Sequence, residues 1–245
     1  MILDRWREYD PGRPIGRILF FRFCWWVTWL FFTLVYRLRV VHPGRVPRRG
    51  GILVVANHQS HLDPPAVGLA LRYRNIVPIA RQGLFKNPVF GWLIRNLNSI
   101  PINEKEGDVV AIRKAVKELA EGRCILIFPE GSRTPDGHLQ EFKRGAWLMI
   151  SRAKCAVLPA AVEGLYDAWP RSRSLPRLWR RRAGVAFGEL LDHDRLLAMG
   201  PDAGLAFLAA TIEDLRVEAA RIVGHPAPAP SAASEAGAHE VDGRR

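Results

Sequence analysis

Cysteine is scarce in this chain. The 245 residues include three, Cys24, Cys124 and Cys155, an odd number, far apart and without a CxxC pair. That spacing offers neither a disulfide framework nor a zinc site, and Cys24 and Cys124 sit in apolar runs as packing residues. A reducing compartment fits this usage. Long apolar runs are nearly absent as well. A single one occurs, at residues 18–36, which excludes a polytopic membrane protein. Acidic residues are outnumbered, 24 against 36 Lys and Arg, giving a net charge of +12. Thirty of those 36 cations are arginine, whose planar fork suits phosphate and carboxylate. The balance implies an anionic partner: nucleic acid, an anionic membrane surface or a phosphorylated substrate. With 48% apolar and 24% charged residues, wholesale disorder and fibrous classes are excluded.

The apolar run, ILFFRFCWWVTWLFFTLVY, is broken only by Arg22. As a helix it measures about 28 Å at ~1.5 Å per residue, just under the ~30 Å of a hydrocarbon core. Arg13 and Arg17 flank one end, and Arg37 and Arg39 the other, so the charges give no sidedness. Trp25, Trp26 and Trp29 prefer an interface and lie mid-run. The expectation is a helix that lies in or dips into one leaflet; a span and a buried core helix are the alternatives. RLRVVHPGR follows without a small-residue cleavage site, so a signal peptide is not expected.

From residue 50 onward, apolar strands alternate with helices. Strands are expected at 51–56, 124–128, 156–162 and 183–187. Pro159 demotes the third to an edge strand or bends it. Asp63-Pro64-Pro65 opens a helix, with Asp63 as N-cap and proline in the first turn. Amphipathic helices are expected at 108–121, stopped by Gly122, and at 201–223. This alternation predicts an α/β fold, a single domain with a mostly parallel central sheet flanked by helices. Residues 224–245 are rich in Pro, Ala and Ser and are expected to be disordered. No internal repeat is evident.

Two polar loops follow buried strands, where ligands of open α/β sheets bind. The first is Asn57-His58-Gln59-Ser60-His61-Leu62-Asp63. A carboxylate five residues beyond a histidine, across a turn, can hydrogen-bond its imidazole, fix its tautomer and raise its basicity, as a general base requires. Blander readings stand beside this one: Asp63 as a simple cap, His58 as a solvated loop residue. A metal site at His58, His61 and Asp63 lacks a further ligand nearby. The second loop is Phe128-Pro129-Glu130-Gly131-Ser132-Arg133-Thr134. Gly131 permits close approach of backbone to a ligand. Arg133 suits phosphate, and Glu130 suits orienting that arginine or binding a substrate hydroxyl. Without a GxSxG elbow, Ser132 is a poor nucleophile candidate.

NHQSHLD and FPEGSRT together resemble the first and third signature blocks of the glycerolipid acyltransferases, most of all the 1-acylglycerol-3-phosphate acyltransferases. The resemblance covers residues 40–190. His58 and Asp63 fall in the essential places of NHxSxxD, and Ser132 replaces Thr in FPEGTR. ARQGLFKNPVFGWLIRNLNSIPINE (residues 80–104) resembles the second block, and VLPAAV, with Pro159 in place, the fourth. EFKRG (residues 141–145) resembles the segment after the third block. Two departures occur in the second block: Asn98 stands where glycine is usual, and Glu104 where an arginine commonly helps hold the acceptor phosphate. Lys105 follows as a possible substitute.

The resemblance implies a glycerol-3-phosphate acyltransferase-like fold: a basic N-terminus with a membrane-associated helix (1–39), an acyltransferase domain (40–223) and a tail (224–245). It also implies transfer of a fatty acyl group from acyl-CoA or acyl carrier protein to the sn-2 hydroxyl of 1-acylglycerol-3-phosphate, giving phosphatidic acid. His58 is the implied base and Asp63 its orienting partner. Glu130, Gly131, Ser132, Arg133, Lys143, Lys105 and Pro159 are the implied substrate-binding residues. No metal or cofactor is implied, and the expected place is the cytoplasmic side of the cell membrane. Glu104 motivates an alternative acceptor, such as a lyso-aminolipid. A nucleic-acid binder is motivated only by the charge and the arginine cluster at 171–182, without any base-reading signature. An inactive membrane adaptor is at odds with the intact His58/Asp63 pair.

Overall fold

The computed structural model describes residues 12–72, 74–103, 108–178 and 182–228. Pro14 precedes the first helix, α1 (Ile15–Phe31), which passes into a π turn at Phe32–Tyr36 and ends at Arg37 in the left-handed region, φ 44°. Ile18 and Phe21 are buried on its inner face, followed by Phe32 and Tyr36 from the π turn. The Tyr36 hydroxyl donates to the Arg177 carbonyl oxygen at 3.1 Å, and the Phe31, Phe32 and Tyr36 rings pack edge-on or tilted. The opposite face leaves Leu19, Phe23, Trp26, Val27 and Leu30 exposed, at helical spacing. Among the described residues, Ile15–Tyr36 is the one helix long and apolar enough to cross a membrane by length and composition.

Seven strands form one sheet among the described residues: β1 (Arg39–Val41), β2 (Ile52–Ala56), β3 (Ile76–Arg81), β4 (Ile100–Ile102), β5 (Cys124–Ile127), β6 (Ala156–Glu163) and β7 (Gly184–Phe187). Their spatial order is β1-β7-β6-β2-β5-β3-β4. Every neighbouring pair is parallel except β6 and β7. The helices that return the chain are α2 (Asp63–Ala70), α3 (Pro88–Asn96), α4 (Val109–Ala120), α5 (Arg144–Ala153), the single turn α6 (Leu165–Ala168), α7 (His193–Ala198) and α8 (Pro201–Val223). They cover both faces, so the central strands are apolar throughout. Leu53 and Val55 of β2 join one core with α4, α5, α7 and α8. Ile52, Val54 and Ala56 join the other with α2 and the π turn. This is the mixed α/β fold with a mostly parallel sheet that the sequence predicted.

The four expected strands lie within a residue of their places. Pro159 is a correction, because β6 is an interior strand paired with both β2 and β7. The proline is tolerated because of where β7 stops. Its carbonyl accepts from Gly188 N at 2.9 Å, just past the end of β7, and the next contact is the isolated Val157–Leu191 bridge. The missing donor thus falls at a break in the ladder. Asn98, where the resemblance expects glycine, has φ 64°. That region favours glycine and, next to it, asparagine.

Candidate active site

Asn57 anchors the end of β2. Its side chain accepts from Val162 N at 2.7 Å and donates to the Val162 carbonyl oxygen at 2.9 Å, extending the pairing to β6 through an amide. The chain then turns away from the sheet and presents His58. Its Nδ1 donates to Asp63 Oδ2 at 2.8 Å, and its ring stacks on Phe128 with centroids 4.0 Å apart. An imidazole held by a carboxylate through Nδ1 keeps the lone pair of Nε2 outward.

Asp63 is fully buried. It is the first residue of α2 and not its N-cap; that position is Leu62, without a side-chain cap. The Asp63 carboxylate turns back along the chain instead. Oδ2 accepts from Gln59 N at 2.5 Å and from Ser60 N at 2.6 Å, besides the imidazole. The loop therefore wraps one oxygen, and base and carboxylate are fixed by a single peptide segment. His61 turns against Trp169, with rings 5.1 Å apart. Partial burial, then Arg133 and His58, push its imidazole down to about 4, so it stays neutral.

The third block closes over the first. Glu130 Oε1 accepts from His58 N at 2.6 Å, and its Oε2 from Gln140 N at 3.1 Å. Thr134 N donates to the His58 carbonyl oxygen at 2.8 Å. Glu130 is 3% exposed and both its oxygens serve backbone N–H groups. It does not pair with Arg133, which corrects the reading of Glu130 as that arginine's orienting partner. Gly131 lies beside it at φ 68°, and a Cβ there would stand 2.9 Å from Lys143 Cδ. The positive φ favours glycine here, and the flexible Lys143 stem passes over the turn. Ser132 is half-buried at the same turn.

Arg133 is partly buried, and its Nη1 is buried without a hydrogen-bond partner. Burial, Arg171 and Arg81 push its guanidinium downward, with Asp63 opposing. Arg81 in turn donates to the Gly131 carbonyl oxygen at 2.7 Å. Cations of Arg81, Arg133 and Arg171, with Lys143 over Gly131, thus converge beside His58. The structure does not bring Pro159 to this cluster: it is buried within β6, level with Val55. Lys105 and Glu104 lie outside the described residues.

Sequence reasoning missed a buried support. Gln59 Nε2 donates to Glu163 Oε1 at 3.0 Å, and Arg216 Nε to Glu163 Oε2 at 2.9 Å. Arg216 also pairs with Glu213 and donates to the Gly137 carbonyl oxygen. The available signal was a charge on the apolar stripe of α8, beside Ile212 and Leu215. Arg81 was read only as part of the second block and Arg171 only within the arginine cluster at 171–182, and no local pattern tied either to the site.

A tautomer-fixed imidazole lies beside a cationic cluster at the carboxyl ends of β2 and β5, an arrangement able to deprotonate a hydroxyl on an anionic substrate. A family model described as acyltransferase matches residues 37–163, just over half of the chain. The chain is 31% identical over 198 residues to the lyso-ornithine lipid O-acyltransferase of Pseudomonas aeruginosa, covering 76% of this chain and 74% of that protein. It is 28% identical over 162 residues to the 1-acyl-sn-glycerol-3-phosphate acyltransferase of Streptococcus pneumoniae, covering 66% and 57%. The crystal structure of the 1-acyl-sn-glycerophosphate acyltransferase PlsC from Thermotoga maritima matches with a TM-score of 0.67 and 25% identity, over 89% of this chain and 84% of that one. The chain belongs to the glycerolipid acyltransferase family. It spans from 33% to 57% of the length of the plant and streptococcal relatives it matches.

Proposed function

We propose that this protein transfers a fatty acyl group from an acyl thioester to the sn-2 hydroxyl of 1-acylglycerol-3-phosphate, forming phosphatidic acid. The observation that carries this reading is His58, held by Asp63 at 2.8 Å, next to an Arg133 whose buried Nη1 has no partner. His58 Nε2 takes the proton of the acceptor hydroxyl as its oxygen attacks the thioester carbonyl carbon. The C–S bond then breaks, and the proton passes to the departing thiolate. Asp63 holds the imidazole and stabilises its protonated form. No covalent acyl-enzyme forms, and a thiolate leaves readily, so the reaction as written uses no metal or cofactor.

Arg133, with Arg81, Arg171 and Lys143, supplies charge for an anionic head group. Gly131 gives that group access to the backbone, and Ser132 lies at the same turn. Glu130 acts through the His58 backbone. The donor is acyl-CoA or acyl carrier protein, and both place the enzyme on the cytoplasmic face of a membrane. There α1 lies in one leaflet, since one of its faces is already packed on the domain. A second acceptor reading, a lyso-aminolipid, is favoured by the likeness to the lyso-ornithine lipid O-acyltransferase over 76% of the chain.

The test supplies labelled acyl-CoA or acyl carrier protein with 1-acylglycerol-3-phosphate in micelles, with His58→Ala as control. Phosphatidic acid formed by the unmutated protein alone is the expected result. Acylation of a lyso-aminolipid in its place would select the second acceptor. Equal turnover by His58→Ala would overturn the mechanism.

A further inference from the structure

The apolar surface of this protein does not end with α1. Helix α3 belongs to the α/β domain, yet it buries only Gly91 and Ile94 and turns Val89, Phe90 and Trp92 outward, at 76%, 42% and 56% exposure. Phe20 of α1 meets Trp92 edge-on, with centroids 5.4 Å apart. The outward faces of the two helices are therefore continuous through one aromatic contact. An exposed valine, phenylalanine and tryptophan within four residues, joined to an apolar helix, exceed what scattered surface hydrophobics explain.

Among the described residues that line the cavity beside α3, the charges are of one sign. Lys86 precedes the helix and Arg95 lies in its last turn; with Arg81 and Phe85 they line a cavity of about 550 Å³. Apolar residues ringed by cations match a bilayer surface, where tryptophan sits at head-group level and Lys and Arg meet anionic lipid. Arg81 also carries the cavity to the catalytic loop through its bond to the Gly131 carbonyl oxygen.

We infer that α3 is a second membrane-inserting element: Val89, Phe90 and Trp92 enter an anionic lipid surface beside α1 and seat the mouth of the Arg81–Lys86–Arg95 cavity on the head-group layer. This goes beyond the proposed function, which needs only α1 at the membrane. A lipid acceptor then reaches the site laterally, from the leaflet into the cavity, without crossing bulk water.

Vesicle sedimentation with full-length protein tests this, using neutral phosphatidylcholine with and without phosphatidylglycerol. Val89→Asp is compared with Val110→Asp, equally exposed on α4, which packs against the other face of the sheet. The expected result is a loss of about tenfold or more in partition to anionic vesicles for Val89→Asp, and none for Val110→Asp. Wild-type partition by Val89→Asp would overturn the inference while leaving α1 as the anchor. Should Val89→Asp misfold, hydrogen exchange of unmutated protein decides. Amides of residues 88–96 are expected to gain protection with anionic vesicles. Unchanged exchange, or protection by acyl carrier protein and not by vesicles, would overturn it. Binding is read without turnover, so failure of the proposed reaction would show separately, as a vesicle-bound protein lacking acyl transfer.

Discussion

The Glu130 carboxyl group holds His58 by its backbone, accepting the His58 N–H at 2.6 Å from a loop 72 residues further along the chain. Its other oxygen takes Gln140 N. Glu130→Gln sets an N–H₂ group against one of these donors. The expected cost is about 1–3 kcal/mol of stability. A displaced His58 lowers kcat by about 10- to 100-fold. Urea unfolding and steady-state kinetics on the same preparation check both effects.

The same carboxyl makes stability depend on pH. Burial pushes Glu130 up to about 8, with Asp63 adding to the rise and the His58 and Gln140 N–H groups opposing it. Between its ordinary 4.5 and about 8, the folded chain keeps a proton that the unfolded chain has released. Folding binds the proton, so this contribution to stability is lost as pH rises through that window. Melting temperatures from about pH 5 to about pH 9 should show a decline that is smaller in Glu130→Gln. Identical slopes in the two proteins would contradict it.

Asp63→Ala removes the acceptor shared by His58 Nδ1, Gln59 N and Ser60 N. The imidazole then loses its fixed tautomer. The expected fall in kcat is about 10²- to 10⁴-fold, with little change in vesicle binding. A fall confined to KM would argue that Asp63 acts on substrate affinity alone.

Arg216 lies between the Glu163 and Glu213 carboxylates, nearly inaccessible to solvent. Arg216→Met leaves both carboxylates buried without a cation, at a cost of about 3–5 kcal/mol. Pairing it with Glu163→Gln should recover part of that cost. A double-mutant cycle by urea unfolding measures the coupling.

At Asn98, φ 64° and a buried Oδ1 without a partner both disfavour the side chain. Asn98→Gly is expected to stabilise by up to about 1 kcal/mol, and Asn98→Ala to destabilise. Differential scanning calorimetry of the three proteins separates them.

The His58–Asp63 pair was legible because its members are five residues apart on one loop, within the span of a motif. The central strands were legible as apolar runs of the right length. The use made of Asp63 was not. An acidic residue before Pro-Pro reads as a cap, and only the folded loop shows three donors turned back on one oxygen. Glu130 invited a reading toward ligand, because a sequence does not reveal that a carboxylate will serve backbone N–H groups. Glu163 and Arg216 meet across 53 positions, which no local pattern encodes. Pro159 misled because the break in β7 that accommodates it lies on another strand. The strands β1 and β4 are three residues each, too short for alternation to show.

The two halves of the site differ in how far they must travel to meet. His58 finds Asp63 within one turn, whereas Glu130 and Thr134 reach His58 only by closing a loop some 70 residues long. In chain-entropy terms that longer closure costs roughly 2 kcal/mol more. A partial opening that parts β5 from β2 would release the clamp first and leave the imidazole–carboxylate pair assembled on its own peptide. The amide of His58, covered only by Glu130, is the natural reporter of that opening. Its exchange rate would mark when the base exists without its scaffold, a state with chemistry in hand but no place to hold a lipid.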